Sequence, residues 1–388
     1  MRRPCQNMNL LCRQMQGNMY ICILMKRILL LSDINSAHTQ KWARILVSKG
    51  FAVGIFSLSL PGSNWYNDLG IILLSQGGFS NNTFNAASGS KISYLKKRKE
   101  VRAAIEKFKP DYVHAHYASS YGLLGALSGF HPYFISVWGS DVLLFPSNPI
   151  KKAIIRYNFR KADQIIVSSR TLDAACRKYT SKKPQIIPFG IDTKLFTSCE
   201  RAGRNEIRIG TVKSLNKVYG IDLLISVFAN VVKLLAEKKI TLTIVGEGPE
   251  LENLTALAGS LNIADRVFFL PPVSQQKLVE IFHSFDIAVF LSRSESFGVA
   301  VLEASATGLP VVVSAVGGLT EVVDDGITGF HTECDNLNEV ADKLIRLINN
   351  SALREQIGQA GREKVKREYE LNDTVREICD LYMKGPAA

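Results

Sequence analysis

Two carboxylates, Glu295 and Glu303, stand eight residues apart in the stretch SRSESFGVAVLEASATGLPVVVSAVGG, residues 292–318. Between them Ser296-Phe297-Gly298 forms a turn that leads into a helix. Gly298 lets the main chain approach a ligand closely, and the free N–H groups of the new helix face phosphate oxygens. Glu303, five residues past Gly298, can accept hydrogen bonds from vicinal hydroxyls such as those of ribose. The pattern suits a charged, hydroxyl-rich ligand, of which a nucleotide sugar is one. Acids on a surface helix are common, and that plainer account competes with the ligand reading on spacing alone.

Other residues point the same way. Gly246-Glu247-Gly248-Pro249 follows the strand TLTIV, Lys213 ends IRIGTV, and Lys217 lies in the next loop ahead of Gly220. Lysines at strand ends beside glycine can clamp a diphosphate that leaves as an anion, although a lone lysine there is as readily a solvated surface residue. Gly317-Gly318 offers another close approach of main chain. The chain has no GxGxxG or P-loop signature, so nicotinamide and ATP chemistry lack support. In the first half, His116 follows the strand DYVHA, with His114 on the same face. Trp138-Gly139-Ser140-Asp141 ends a later strand as a polar lip, and Asn35, Ser36 and His38 follow the first strand. These supply neutral donors and a candidate acid or base for an acceptor hydroxyl. A histidine so placed serves equally as a structural group. His114, His116 and Asp141 lack the sequence clustering of a zinc site.

Strands alternating with amphipathic helices must position these groups. RILLL (27–31) ends at Ser32-Asp33, with a helix expected over about 39–49. Further strands are read at 51–58, 111–117, 134–137, 164–167 and 185–187, with a helix over 94–108. After a polar linker at 197–206 a second series begins: strands at 207–212, 242–245, 267–270, 287–291 and 311–314. Its helices span 221–238, 251–261, 275–283, 337–349 and 351–369, and a last one runs to about 383. This alternation predicts an α/β chain of two doubly wound Rossmann-like domains facing across a cleft. In such sheets ligands bind beyond the carboxyl ends of the strands, where the residues above fall.

The charge is lopsided. Residues 1–200 hold 27 Lys and Arg against 10 Asp and Glu, whereas 201–388 hold 20 against 25. A basic half implies an anionic partner. Its cations concentrate in Lys91–Lys109 and Asn148–Lys161, each beside apolar residues. Taken singly each run reads as an ordinary surface helix, but together they point to an anionic membrane surface. Nucleic acid competes as a partner and lacks a recognisable motif. Seven scattered cysteines without a CxxC pair argue against disulfides or structural zinc and suit a reducing cytoplasm. Residues 1–24 show little periodicity and are expected to be a non-native or disordered extension, from a mis-assigned start ahead of MKRILLLSD. The apolar run at 19–25 is too short to span a bilayer, and no later stretch reaches 18 apolar residues.

With these residues in view, the sequence resembles the retaining GT-B glycosyltransferases grouped as family 4, many of which build bacterial surface polysaccharides such as lipopolysaccharide or capsule. The likeness runs from Met25 to the C-terminus. Its most specific part is the E-x7-E motif of ESFGVAVLE with GLPVVVSAVGGLTEVVDDGITGF after it. The resemblance implies that Glu303 binds the donor ribose, and that Glu295 and the main chain of Phe297, Gly298 and Val299 hold the donor sugar. It places Lys213 where the family carries a phosphate-binding Arg. The family's second lysine precedes the glycine of the next helix, where this chain has Tyr219, and Lys217 is read as its substitute. His116 and Trp138–Asp141 match the acceptor-side motif. No divalent metal or other cofactor is implied, and residues from about 367 to 383 would cross back to the first domain. The domain reading is therefore 25–200 for the acceptor, 201–366 for the nucleotide sugar and 367–388 for the returning helix.

The activity so implied moves a hexose or N-acetylhexosamine from a nucleoside diphosphate sugar to a glycan or lipid-linked hydroxyl, at the inner face of the plasma membrane. Loss of Lys213 or Lys217 is expected to cost roughly 2–4 kcal/mol of transition-state stabilisation. A GT-B sugar-nucleotide epimerase is the nearest enzymatic rival. A basic membrane or nucleic-acid binding protein with a degenerate cleft is the non-enzymatic one.

Overall fold

The alternating apolar runs become two parallel sheets in the computed structural model of the chain, which describes residues 10–14, 20–75, 97–201 and 206–385. The chain parts into two compact units. One comprises residues 1–167, 173–185 and 377–388, the other 168–172 and 186–376.

Ahead of the first sheet, β1 (Leu10–Gln14) and β2 (Tyr20–Leu24) pair antiparallel, Leu10 opposite Leu24. A stretch read as lacking periodicity thus carries paired strands, and Tyr20, Ile21 and Ile23 are strand-favouring types. The first unit's sheet contains β3 (Arg27–Leu31), β4 (Ala52–Phe56), β5 (Ile72–Leu73), β6 (Tyr112–His116), β7 (Tyr133–Val137), β8 (Gln164–Val167) and β9 (Gln185–Ile186). Their spatial order is β5-β4-β3-β6-β7-β8-β9. The order reverses between β3 and β6, which pair parallel with Ile28 opposite Tyr112. Ile28 to Leu31 are wholly buried, as expected for a central strand covered on both faces.

The second unit repeats the plan with β10 (Glu206–Val212), β11 (Lys239–Val245), β12 (Val267–Leu270), β13 (Ile287–Phe290), β14 (Val311–Ser314) and β15 (Phe330–Thr332). Their order is β12-β11-β10-β13-β14-β15, and it reverses between β10 and β13. Helix Leu337–Asn349 shows how the surrounding layer forms. Asn336 accepts the Glu339 N–H at 3.2 Å, and Val340, Ala341, Leu344, Leu347 and Ile348 make one buried face.

The boundary between units falls earlier than the polar linker suggested. Residues 186–200 group with the second unit because Ile191 and Phe196 are buried in its core. Arg201, inside the expected linker, donates to the Phe285 and Thr307 carbonyls at 3.0 and 2.8 Å. The last helix, Leu371–Lys384, belongs to the second unit through Arg376 and to the first from Glu377 onward. No helix among the described residues is long and apolar enough to cross a membrane.

Candidate active site

In an open parallel sheet ligands bind beyond the carboxyl ends of the strands where the order reverses. In the second unit those ends carry Lys213 after β10 and, five residues past β13, Glu295. The Lys213 ammonium donates to Glu295 Oε2 as an ion pair, with side-chain exposures of 12% and 11%. It also lies 4.8 Å from the centre of the Tyr219 ring. Two glycines make this closeness possible. A Cβ on Gly246 would come within 1.9 Å of the Lys213 carbonyl oxygen, and one on Gly317 within 2.0 Å of the Glu295 carbonyl oxygen.

Gly298 adopts φ +109° and opens helix Val299–Ala306, which stops at Gly308 and Pro310. Val301, Leu302, Ala304, Ser305 and Ala306 face the core. Val299, Ala300 and Glu303 share the remaining, partly open face, so Glu303 lies about one turn in from the helix start. Phe297 contributes main chain alone, because its ring is 3% exposed and packs on Phe189 and Tyr369. Gly246 and Glu247, with Lys213, Pro272, Val273 and Leu278, line a cavity of about 310 Å³. Glu247 is exposed, and its carbonyl accepts the Leu215 N–H at 2.8 Å. A larger hollow of about 790 Å³ opens at the opposite strand ends around Arg201, Asp286 and Arg354. It contains none of the residues singled out by sequence and sits at the end of the sheet where ligands do not bind.

Lys217 is exposed and, among the described residues, its ammonium has no partner. Its carbonyl instead accepts from Arg293 at 2.6 Å. Arg293 also forks onto Asp222 at 2.8 and 2.7 Å, and this hydrogen bonding holds the Asp222 carboxyl below its usual range. The Lys217 loop is thereby tied to the segment that carries Glu295.

In the first unit, Ser32, His116 and Trp138 stand at or just past the carboxyl ends of β3, β6 and β7. His116 Nδ1 lies 3.2 Å from Ser32 Oγ, which is 2.5 Å from Thr39 Oγ1. His116 Nε2 is buried and, among the described residues, has no hydrogen-bond partner. Trp42, His114 and Trp138 surround the ring at 4.8–5.3 Å, and His38 packs on Trp138 at 5.3 Å. Burial, then the proximity of His114 and His38, pushes the His116 pKa well below 6.5. Burial and Lys41 take His38 down to about 4. His116 is therefore a neutral imidazole at neutral pH. Tyr117, next in sequence, holds φ +85°, a strained conformation for a non-glycine residue.

Two residues expected on the acceptor side have other work. Asp141 is wholly buried, and its carboxylate accepts the N–H groups of Ala118 at 2.6 Å and Gly139 at 2.8 Å. It locks the ends of β6 and β7 together rather than presenting a polar lip. Burial raises its pKa against those hydrogen bonds. Asn35 spends its amide on the Leu60 carbonyl at 2.8 Å and the Gly62 N–H at 2.7 Å, bracing a loop. Ser36 precedes helix Ala37–Ser48 without capping it through its side chain. Among the described residues no three His, Cys, Asp or Glu side chains gather as a metal-binding set.

Two family models divide the chain between them. "Glycosyl transferase 4-like" matches residues 27–169, and "Glycosyl transferases group 1" matches residues 200–364. The chain is a family 4 glycosyltransferase of the GT-B fold. This glycosyltransferase is 27% identical to the N-acetyl-alpha-D-glucosaminyl L-malate synthase of Bacillus anthracis, over 70% of its own length and 74% of the relative's. It is 31% identical to a D-inositol 3-phosphate glycosyltransferase of Corynebacterium urealyticum, over 58% and 57%. Among solved structures, sucrose-phosphate synthase from Thermosynechococcus elongatus shares the fold at TM-score 0.80 and 20% identity, covering 92% of this chain and 98% of that one. HepE of Anabaena, solved with UDP, follows at TM-score 0.74 and 18% identity, covering 93% and 100%.

The glycosyltransferase also uses residues that sequence reasoning left without a role. Arg293 and Asp222 are 71 positions apart, and only the Arg inside the SRSES turn could have hinted at their pairing. Glu321, just past Gly317-Gly318, accepts the N–H groups of Arg170 and Thr171 at 2.8 and 2.7 Å. Ser169, beside them, donates to the Ser296 carbonyl at 2.8 Å and steadies the turn between Glu295 and Gly298.

Proposed function

We propose that this enzyme is a retaining glycosyltransferase that moves a hexose or N-acetylhexosamine from a nucleoside diphosphate sugar to a hydroxyl of a glycan or lipid-linked acceptor, in the synthesis of a bacterial surface polysaccharide. The observation that carries the reading is the Lys213–Glu295 pair at the strand switch point, next to a glycine-started helix that bears Glu303. Relatives named for N-acetylglucosaminyl and inositol phosphate glycosyl transfer support it, as do structures of HepE with UDP-glucose. In the reaction the acceptor oxygen bonds to the anomeric carbon as the bond from that carbon to the diphosphate breaks. The acceptor proton passes to the leaving phosphate oxygen, and the new bond keeps the donor's configuration. Glu303 holds the ribose hydroxyls, and Lys213 takes up charge on the departing phosphate. His116, in the first unit, is assigned to the acceptor side.

Glu303→Ala removes charge-assisted hydrogen bonds worth roughly 1.5–3 kcal/mol each. It should raise the donor KM by about 10–100-fold in initial-rate assays with UDP-, GDP- and ADP-sugars. A variant that folds and matches wild type would refute the ribose assignment. Proton NMR of the product, read at the anomeric coupling, tests retention.

Helix Pro149–Lys161 supports docking on an anionic bilayer from the cytoplasmic side. It exposes Lys152, Arg156 and Arg160, while Ile150 and the preceding Leu144 are 74% and 63% exposed. The start of the other basic run, 91–96, lies outside the described residues. At about 1 kcal/mol per basic residue, neutralising Lys152 and Arg156 should weaken binding to phosphatidylglycerol vesicles by at least about tenfold in sedimentation assays. Equal binding by the variant would remove this surface from the proposal.

A further inference from the structure

We infer that the Lys213–Glu295 pair makes the donor pocket favour the intact nucleoside diphosphate sugar over the nucleoside diphosphate left after transfer. The inference rests on the donor-site reading above and deepens it. With both side chains almost buried, opposite charges sit where water screens them poorly. A phosphate that takes the Lys213 ammonium competes for it with the Glu295 carboxylate already bound there.

The main chain beneath both residues is held in place. Lys213 N–H donates to the Val245 carbonyl at 3.0 Å, and the Glu295 carbonyl accepts the Gly318 N–H at 3.0 Å. The exchange is therefore made by side-chain rotation, with the Tyr219 ring remaining under the ammonium. A displaced carboxylate in so dry a place needs new hydrogen-bond donors. The hydroxyls of a donor sugar supply them. A bare diphosphate supplies none and repels the carboxylate at close range. The intact donor thus satisfies both members of the pair, whereas the product satisfies Lys213 and strands Glu295. The same conflict helps expel the product once the sugar has left.

The test is calorimetric titration of the full chain with UDP, GDP and ADP, comparing wild type, Glu295→Gln and Lys213→Met. Glu295→Gln keeps the shape of the side chain and removes its charge. It should bind the recognised nucleotide about tenfold more tightly than wild type, or about 1.4 kcal/mol, while Lys213→Met binds it at least about tenfold more weakly. If Lys213→Met weakens binding and Glu295→Gln does not tighten it, the inference fails and the donor-site reading stands. If no nucleotide shows Lys213-dependent binding, both fall. Glu295→Ala is titrated in parallel, with circular dichroism on every variant, and decides the matter if the glutamine variant is unfolded.

Discussion

Lys213→Met is expected to lower kcat for sugar transfer by about 10²–10³-fold, the loss typical when one preorganised electrostatic group is removed from a transition state. Negative charge grows on the leaving phosphate as the glycosidic bond stretches. The main chain of Lys213 is fixed there in advance, by its N–H bond to the Val245 carbonyl and the close approach of Gly246, and its ammonium rests against the Tyr219 ring. A group fixed before the reaction needs no reorganisation during it, so its contribution appears in kcat more than in KM. Lys217→Met makes the matched control. The same cost was expected for losing either lysine, but Lys217 is exposed and its charge is screened by water. Its loss should cost less than about tenfold in kcat. Single-turnover rates with the active nucleotide sugar separate the two. Equal losses would mean that Lys217 swings into the site and that the buried pair is not the main clamp.

Much of the second unit could be read in advance because its signals are local. The expected strand over 287–291 and helix over 337–349 lie within a residue of Ile287–Phe290 and Leu337–Asn349. Each is bounded by a cap or a turn that the sequence displays. Helix Tyr121–Ser128 escaped notice because YGLLGALS is apolar almost all round and has two glycines, so it shows no amphipathic period. Strand Phe330–Thr332 is three residues long, too short to alternate visibly. In the site, residue types at strand ends were legible, but what their side chains bond to was not. Asp141 was read as part of a polar lip because Trp138–Asp141 ends a strand. Three-dimensional closure alone reveals that the Ala118 and Gly139 amides consume it. The bonds of Asn35 were hidden for the same reason, since its partners lie 25 and 27 residues away.

The buried histidines predict a steep loss of stability in acid. His114 is wholly buried among Trp42, His116 and Phe134, bonded to the Tyr382 hydroxyl and to Ser136 Oγ at 2.8 Å. Burial takes its pKa from 6.5 to about 3, and His116 beside it is driven down as well. The unfolded chain therefore binds more protons than the folded one once pH falls below 6.5. Stability then drops by about 1.4 kcal/mol per pH unit for each imidazole, until the folded pKa is reached. By pH 4.5 His114 alone removes about 3 kcal/mol, a large share of the stability of a typical domain, and His116 adds to the loss in the same direction. Asp141, whose folded pKa is raised, acts in the opposite sense and offsets part of this loss. Urea unfolding followed by circular dichroism at pH 7.5, 5.5 and 4.5 should show the midpoint falling steadily. His114→Gln, which keeps a polar side chain but cannot take up a proton, should flatten that slope by one imidazole's share. A midpoint that stays level from pH 7.5 to 4.5 in wild type would mean that water reaches these rings and that His116 is free to ionise in the working enzyme.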